Sequence, residues 1–250
     1  MRKPLVAGNW KMHGSRRFVT DHIKALKHRL SGDGVDVAIF PPFIYLDQVI
    51  RSLADKPDTA IAVGAQNVSH EREGAFTGEV AAAMLSDIGC RMVLVGHSER
   101  RTLYGESNGM VASKFATALT AGLTPVLCVG ETLAEREAGS TFKVVEAQMA
   151  AVIDLLGHSR LGQGVIAYEP VWAIGTGMTA TPEMAQDVHA AIRQQLGEEG
   201  ETTRILYGGS VKAANAEALF NQPDIDGGLV GGASLDADEF TAICRKAVQP

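Results

Sequence analysis

Four stretches of the sequence carry residue types that together can move a proton beside a carbonyl. The first is AYEPVWAIGTG, where Glu169 lies among Tyr168, Pro170, Val171 and Trp172. Apolar neighbours strip water from a carboxylate, raise its pKa and strengthen it as a base. Pro170 cannot extend a strand, and Gly175 and Gly177 give a mobile loop tip. The segment from Pro170, Val171 and Trp172 through Ala173 and Ile174 to Gly175, Thr176, Gly177 and Met178 therefore reads as a lid over the base. The second stretch is LVGHSERR, where Ser98 and Glu99 start a helix directly after His97. The positive end of a helix dipole disfavours imidazolium, and a neutral imidazole still donates to a carbonyl oxygen. The third, GNWKMHG, supplies Lys11, a fixed charge for an anionic substrate or a developing oxyanion. The fourth is a pair, YGGS and VGGAS, whose glycines let backbone N–H groups approach an anion. Each has a plain structural alternative: a surface-loop glutamate, a satisfied core histidine, a solvated lysine, a tight turn. Base, neutral electrophile, cation and anion cradle together, without a paired acid or a metal-ligand cluster, fit a reaction that only relocates a proton.

The elements that must position these residues are legible as well. Short apolar runs recur at 5–10, 35–40, 61–65, 92–96, 125–129, 165–168, 204–207 and 228–230. They are apolar throughout, as strands buried on both faces of a parallel sheet are. Helical patterns lie between them. Val19, Ile23, Leu26 and Leu30 mark one buried helix face; Met184, Val188, Ile192 and Leu196 mark another, which opens at Thr181-Pro182. Asp236 with Glu239 reads as a capping box for the last helix. The expected fold is α/β: one (β/α)8 barrel of eight parallel strands, a single domain over residues 1–250. An open doubly wound sheet is the alternative, but the first strand–helix turn, GNWKMHGS, lacks its GxGxxG fingerprint. In a barrel, chemistry sits at the C-terminal strand ends, with phosphate after strands seven and eight. Those ends carry Asn9, Lys11, Gln66, Asn67, His97, Glu131, Glu169, Ser210, Gly231 and Gly232.

Length and composition agree. The chain has 250 residues, and its net charge of −6 argues against nucleic-acid and anionic-membrane partners. The three cysteines, Cys90, Cys128 and Cys244, are widely spaced and form no CxxC pair, which points to a reducing compartment. No stretch approaches the roughly 18 apolar residues of a membrane span, and the start does not read as a signal peptide. A cytoplasmic location is expected.

Taken together, GNWKMHG, GAQNVS with GAFTGEV, VLVGHSERR, PVLCVGE, AYEPVWAIGTG, ILYGGSV and VGGASL resemble the triosephosphate isomerase family, in its order and near its spacing along the whole chain. The resemblance implies interconversion of dihydroxyacetone phosphate and glyceraldehyde 3-phosphate, in glycolysis and gluconeogenesis, with neither cofactor nor metal. By motif, it implies Glu169 as the shuttling base, His97 as the electrophile, and Lys11 with Asn9 as the group that stabilises the enediolate. It implies Gly175, Ser210, Gly231 and Gly232 as phosphate donors, Trp172 as a lid hinge, Tyr207 as the lid latch, and Glu99 beside the lysine. It also implies a homodimer in which Thr77 of the GAFTG loop inserts near the partner's lysine, with Met12 on the receiving loop. Met178 and His13 depart from the family's frequent lysine and asparagine. Two rivals remain at this point: a barrel enzyme for another sugar phosphate, and a barrel kept only for binding.

Overall fold

The apolar runs form strands because both of their faces are covered. The computed structural model describes residues 2–30, 34–54, 61–174 and 178–248. Its strands are β1 (Leu5–Asn9), β2 (Asp36–Phe40), β3 (Ile61–Ala65), β4 (Met92–Val95), β5 (Thr124–Val129), β6 (Val165–Tyr168), β7 (Ile205–Tyr207) and β8 (Gly227–Val230). Each pairs in parallel with the next, and β8 pairs with β1, so the barrel closes in sequence order. Trp10 and Gly96, read from the sequence as strand residues, fall just past β1 and β4.

Helices fill the connections: α1 (Arg16–Arg29), α2 (Leu46–Leu53), α3 (Ala82–Asp87), α4 (Ser98–Tyr104), α5 (Asn108–Thr120), α6 (Leu133–Glu137), α7 (Thr141–Leu156), α8 (His158–Leu161), α9 (Pro182–Leu196), α10 (Ala213–Phe220) and α11 (Ala237–Ala247). Alternate strand residues split into two cores. Leu5, Ala7, Phe40, Leu94, Val126 and Leu206 belong to the group inside the barrel, whereas Val6, Ile39, Val93, Leu127 and Ile205 pack outward under the helices. The period-2 alternation of side chains thus feeds two apolar layers, which is why the runs have no polar face. The barrel interior is a solid plug, and room for a ligand opens above it, where the loops diverge.

The capping signals hold with one exception. Ser15 accepts from the Phe18 N–H, and Thr181 accepts from the Met184 N–H ahead of Pro182. Val19, Ile23, Leu26 and Leu30 are buried, as are Val188, Ile192 and Leu196, while Met184 is half-buried. Asp236 accepts from the Asp238 and Glu239 N–H groups, but Glu239 does not return the bond within its own helix. Its carboxylate accepts instead from the Ala213 N–H, 2.8 Å away at the start of α10. A donor left unpaired at one helix start outcompetes the local box, because helix N-termini leave several N–H groups without partners. Among the described residues no helix is long and apolar enough to cross a membrane. All three cysteines are buried free thiols.

Candidate active site

Glu169 follows the last residue of β6, and its neighbours dictate its seat. Its N–H donates to the Val129 carbonyl at 2.7 Å, and the Gly208 N–H donates to the Tyr168 carbonyl at 2.7 Å. Both flanking strands end in glycine for a steric reason. A Cβ on Gly130 would collide with the Glu169 carbonyl, and one on Gly208 would come within 2.9 Å of the Glu169 Cγ. The side chain is left 1% exposed.

The carboxylate and the imidazole meet. His97 Nε2 lies 2.9 Å from Glu169 Oε1, and the Ser98 N–H donates to Oε2 at 2.8 Å. Oε1 has no aligned hydrogen-bond donor, so the contact with His97 is a close approach without the alignment of a formed hydrogen bond. His97 is also the N-cap of α4, and its Nδ1 accepts from the Glu99 N–H at 3.2 Å. A nitrogen that accepts cannot carry a proton, so the Nε2–H tautomer is assigned from this network.

These contacts reverse two expectations. Burial raises the Glu169 pKa, but His97, the Ser98 N–H and Lys11 together pull it below the ordinary value. Burial lowers the His97 pKa, but the Glu169 charge, aided by Glu99, raises it overall. The sequence reading weighed only local surroundings, apolar neighbours for one group and a helix end for the other. The partners that decide both shifts lie on different strands.

Lys11 is held in an uncommon conformation. Its φ of 50° makes it the only non-glycine with positive φ among the described residues. Such a conformation costs about 1–2 kcal/mol, so neighbours must enforce it. Asn9 Oδ1 accepts from the Lys11 N–H at 2.9 Å, and Gln66 Nε2 donates to the Lys11 carbonyl at 2.8 Å. The ammonium pairs with Glu99 at 2.6 Å.

One cavity of about 260 Å³ brings these groups together. Asn9, Lys11, His97 and Glu169 line one part, and the turns at 208–212 and 231–233 line the rest. Ser210, Gly231 and Gly232 are therefore where the strand-end reading expects them. Ile174 also lines it. Behind it, Trp172 is buried, its Nε1–H donates to Glu131 at 2.8 Å, and the Arg136 guanidinium stacks over its ring at 4.4 Å. Gly175, Thr176 and Gly177 lie outside the described residues. The Tyr207 hydroxyl is buried beside the Ala180 backbone and makes no aligned hydrogen bond. Met12 is 94% exposed, and residues 72–79, which include Thr77, form one exposed run.

Sequence reasoning missed three participants. Lys212 adds a second cation to the cavity rim. Gln66 braces the Lys11 backbone. Glu131, fully buried, gathers Tyr168, Trp172 and Arg136. Gln66 and Glu131 were visible as polar strand ends, but their partners were not.

A closed barrel with titratable groups gathered at its C-terminal mouth defines the class: a (β/α)8-barrel enzyme. The sequence model of one family, triosephosphate isomerase, matches residues 4–247. Proteins named triosephosphate isomerase from Pseudomonas fluorescens (strain Pf0-1) and Pseudomonas aeruginosa (strain PAO1) are each 60% identical over 99% of both chains. The one from Pseudomonas putida (strain W619) is 57% identical over the same share. The chain belongs to the triosephosphate isomerase family.

Proposed function

We propose that the chain, acting as one catalytic domain over residues 1–250, interconverts dihydroxyacetone phosphate and D-glyceraldehyde 3-phosphate by proton transfer through an enediolate, a step of glycolysis and gluconeogenesis. The observation that carries this is the single cavity that Glu169, His97 and Lys11 share with two glycine turns. The phosphate sits between those turns, held by Ser210, Gly231, Gly232 and, from the lid, Gly175. That leaves the carbonyl and its neighbouring carbon facing the three titratable groups. Glu169 removes a proton from one carbon and returns it to the other. His97 donates its Nε2–H to the carbonyl oxygen and takes the proton of the neighbouring hydroxyl in exchange, so that the two oxygens swap roles, while Lys11 with Asn9 stabilises the charge that develops there. The oxidation of one carbon is balanced by the reduction of its neighbour, so no external oxidant or reductant is needed, and Lys11 and His97 supply the electrophilic stabilisation.

In the ligand-free arrangement the Ser98 N–H and His97 hold Glu169 ionised. To reach a substrate carbon the carboxylate leaves both. It then loses the contacts that depress its pKa and keeps the burial that raises it, so its proton affinity grows where the proton is taken. The imidazole, freed from that charge, keeps the neutral Nε2–H form that donates to the carbonyl oxygen. Residues 170–178 close over the substrate, with Trp172 as hinge and Tyr207 as latch, and exclude water.

The working form is a homodimer in the cytoplasm. Exposed Met12, Ile44, Phe76, Leu103 and Tyr104 supply an apolar surface for a second copy, with Thr77 reaching the partner's Met12 loop. The test is a coupled assay with glyceraldehyde 3-phosphate, repeated in heavy water. Rapid turnover with deuterium entering the product supports the reading, and no turnover from folded protein overturns it. Sedimentation of wild type against Thr77→Glu checks the dimer.

A further inference from the structure

A second cavity, of about 410 Å³, also has Glu169 in its wall. Arg101 on α4, Asn108 on α5 and Gln148 on α7 line it together with Gly96, Cys128 and Gly130. The long side chains here serve the backbone. Gln148 closes both groups of Gly130: its Oε1 accepts from the Gly130 N–H at 2.7 Å, and its Nε2 donates to the Gly130 carbonyl at 3.0 Å. The Arg101 guanidinium donates three ways. Nε reaches the Gly96 carbonyl at 2.8 Å, Nη2 the Cys128 carbonyl at 3.2 Å, and Nη1 the Asn108 Oδ1 at 2.7 Å.

The place of those two carbonyls gives the bridge its meaning. Backbone pairing between β4 and β5 ends at Val95 and Leu127. Gly96 and Cys128 are the next residue on each side, so the guanidinium continues by one step a ladder that the backbone has ended. After Gly96 comes His97. After Cys128 comes Val129, whose carbonyl accepts from the Glu169 N–H at 2.7 Å. Arg101 thus acts one residue from the electrophile and one residue from the seat of the base. Gly96 has a φ of 71°, in the left-handed region, and a Cβ there would come within 2.8 Å of Val111 and 3.0 Å of Arg101 Nη2. A glycine peptide turns easily, so a hydrogen bond to its carbonyl is what fixes the direction in which the chain enters His97. A planar fork with donors in set directions can serve two carbonyls and an amide at once, which a lysine ammonium cannot do in the same geometry.

We propose that Arg101 is a positioning residue for the proton transfer: by tying the Gly96 and Cys128 carbonyls together it fixes the spacing between the His97 imidazole and the Glu169 carboxylate. The assignment deepens the isomerase reading and rests on it. The imidazole donates most strongly to an oxygen that is gaining charge, so a displaced imidazole loses transition-state stabilisation and leaves ground-state binding in place. The three bonds of Arg101 leave out the glycine turns after β7 and β8, so anion binding is untouched.

The test compares wild type with Arg101→Met, Arg101→Lys and Asn108→Ala in steady-state kinetics and in inhibition by two probes. Inorganic phosphate needs only the phosphate turns. The carboxylate of 2-phosphoglycolate stands in for the enediolate oxygens, so this probe also reads the imidazole. Arg101→Met keeps the stem and removes all three donors. A misplacement of about 1 Å costs on the order of 100-fold, and a smaller shift is expected to lower kcat and weaken phosphoglycolate about ten-fold, with KM and phosphate inhibition within about two-fold. Arg101→Lys keeps one donor and is expected to recover part of that loss. Asn108→Ala removes only the acceptor that orients the fork and is expected to lower kcat about three-fold, the effect of one hydrogen bond. If the methionine variant does not fold, the other two carry the test through the same split between the probes. Unchanged kcat in the folded variants, or equal weakening of phosphate and phosphoglycolate, overturns the assignment. A folded wild-type chain that does not turn over triose phosphate overturns the isomerase reading instead, which keeps the two failures apart.

Discussion

Shortening the base by one methylene gives the sharpest test of the mechanism. Glu169→Asp keeps the charge and withdraws the carboxylate by about 1.5 Å, one carbon–carbon bond. In wild type the two oxygens sit 2.8 Å from the Ser98 nitrogen and 2.9 Å from His97 Nε2. The glycine-lined seat is fixed by backbone hydrogen bonds on both sides, so the main chain cannot follow to restore the reach. A misplacement of about 1 Å costs on the order of 10²-fold, so kcat should fall at least about 100-fold, close to 2.7 kcal/mol of barrier. KM should change little, because the phosphate turns are untouched. The assay is the coupled turnover of glyceraldehyde 3-phosphate, with circular dichroism to show that the barrel is intact. A kcat within a few-fold of wild type in a folded variant would refute Glu169 as the base.

Three further outcomes follow from the same geometry. Lys11→Ala should abolish measurable turnover while moving the urea midpoint little, since its pair with Glu99 is half-exposed and such pairs contribute about 0–1 kcal/mol; retained activity counts against its role. Glu131→Gln should lower unfolding free energy by about 1–3 kcal/mol, because an amide cannot accept at both oxygens from Tyr168, Trp172 and Arg136; an unchanged urea curve contradicts this. His189 is fully buried, and burial lowers its pKa from 6.5 to about 4. The unfolded chain then binds a proton that the folded one does not, so stability is full above 6.5 and falls as pH drops toward 4, by about 3 kcal/mol in total. Urea unfolding of His189→Gln between pH 7 and 4 should show a shallower loss than wild type, and parallel curves sink the assignment.

The barrel was readable because its strands have no polar face, and that property is local to each run. The glycine turns and the strand-end glutamate were readable as well, because each directly follows such a run. What escaped was every property that depends on a partner distant in the chain. Glu169 reads as a carboxylate with a raised pKa from its own neighbours, yet the Ser98 N–H, 71 positions away, helps hold it ionised. Gln66 reads only as a polar strand end until the fold places it 2.8 Å from the Lys11 carbonyl, 55 positions away. Lys11 itself shows no sign of left-handed backbone, because propensity predicts against it and only Asn9 and Gln66 enforce it. Glu239 has the spacing of a local box, but a donor on another helix takes its carboxylate.

That last bond ties the two final units of the barrel into one mechanical piece. The helix that receives it begins directly after the turn of Ser210, and the helix that sends it begins directly after the turn of Gly231 and Gly232. On the proposed function, the two turns that would grip the anion are thus joined from behind by a hydrogen bond between their helices. A chain cut before residue 236 would keep base, electrophile and lysine yet lose that bond, and with it the shared grip of both turns. On that reading the last helix of this barrel would support the grip on the substrate from a distance, through Glu239.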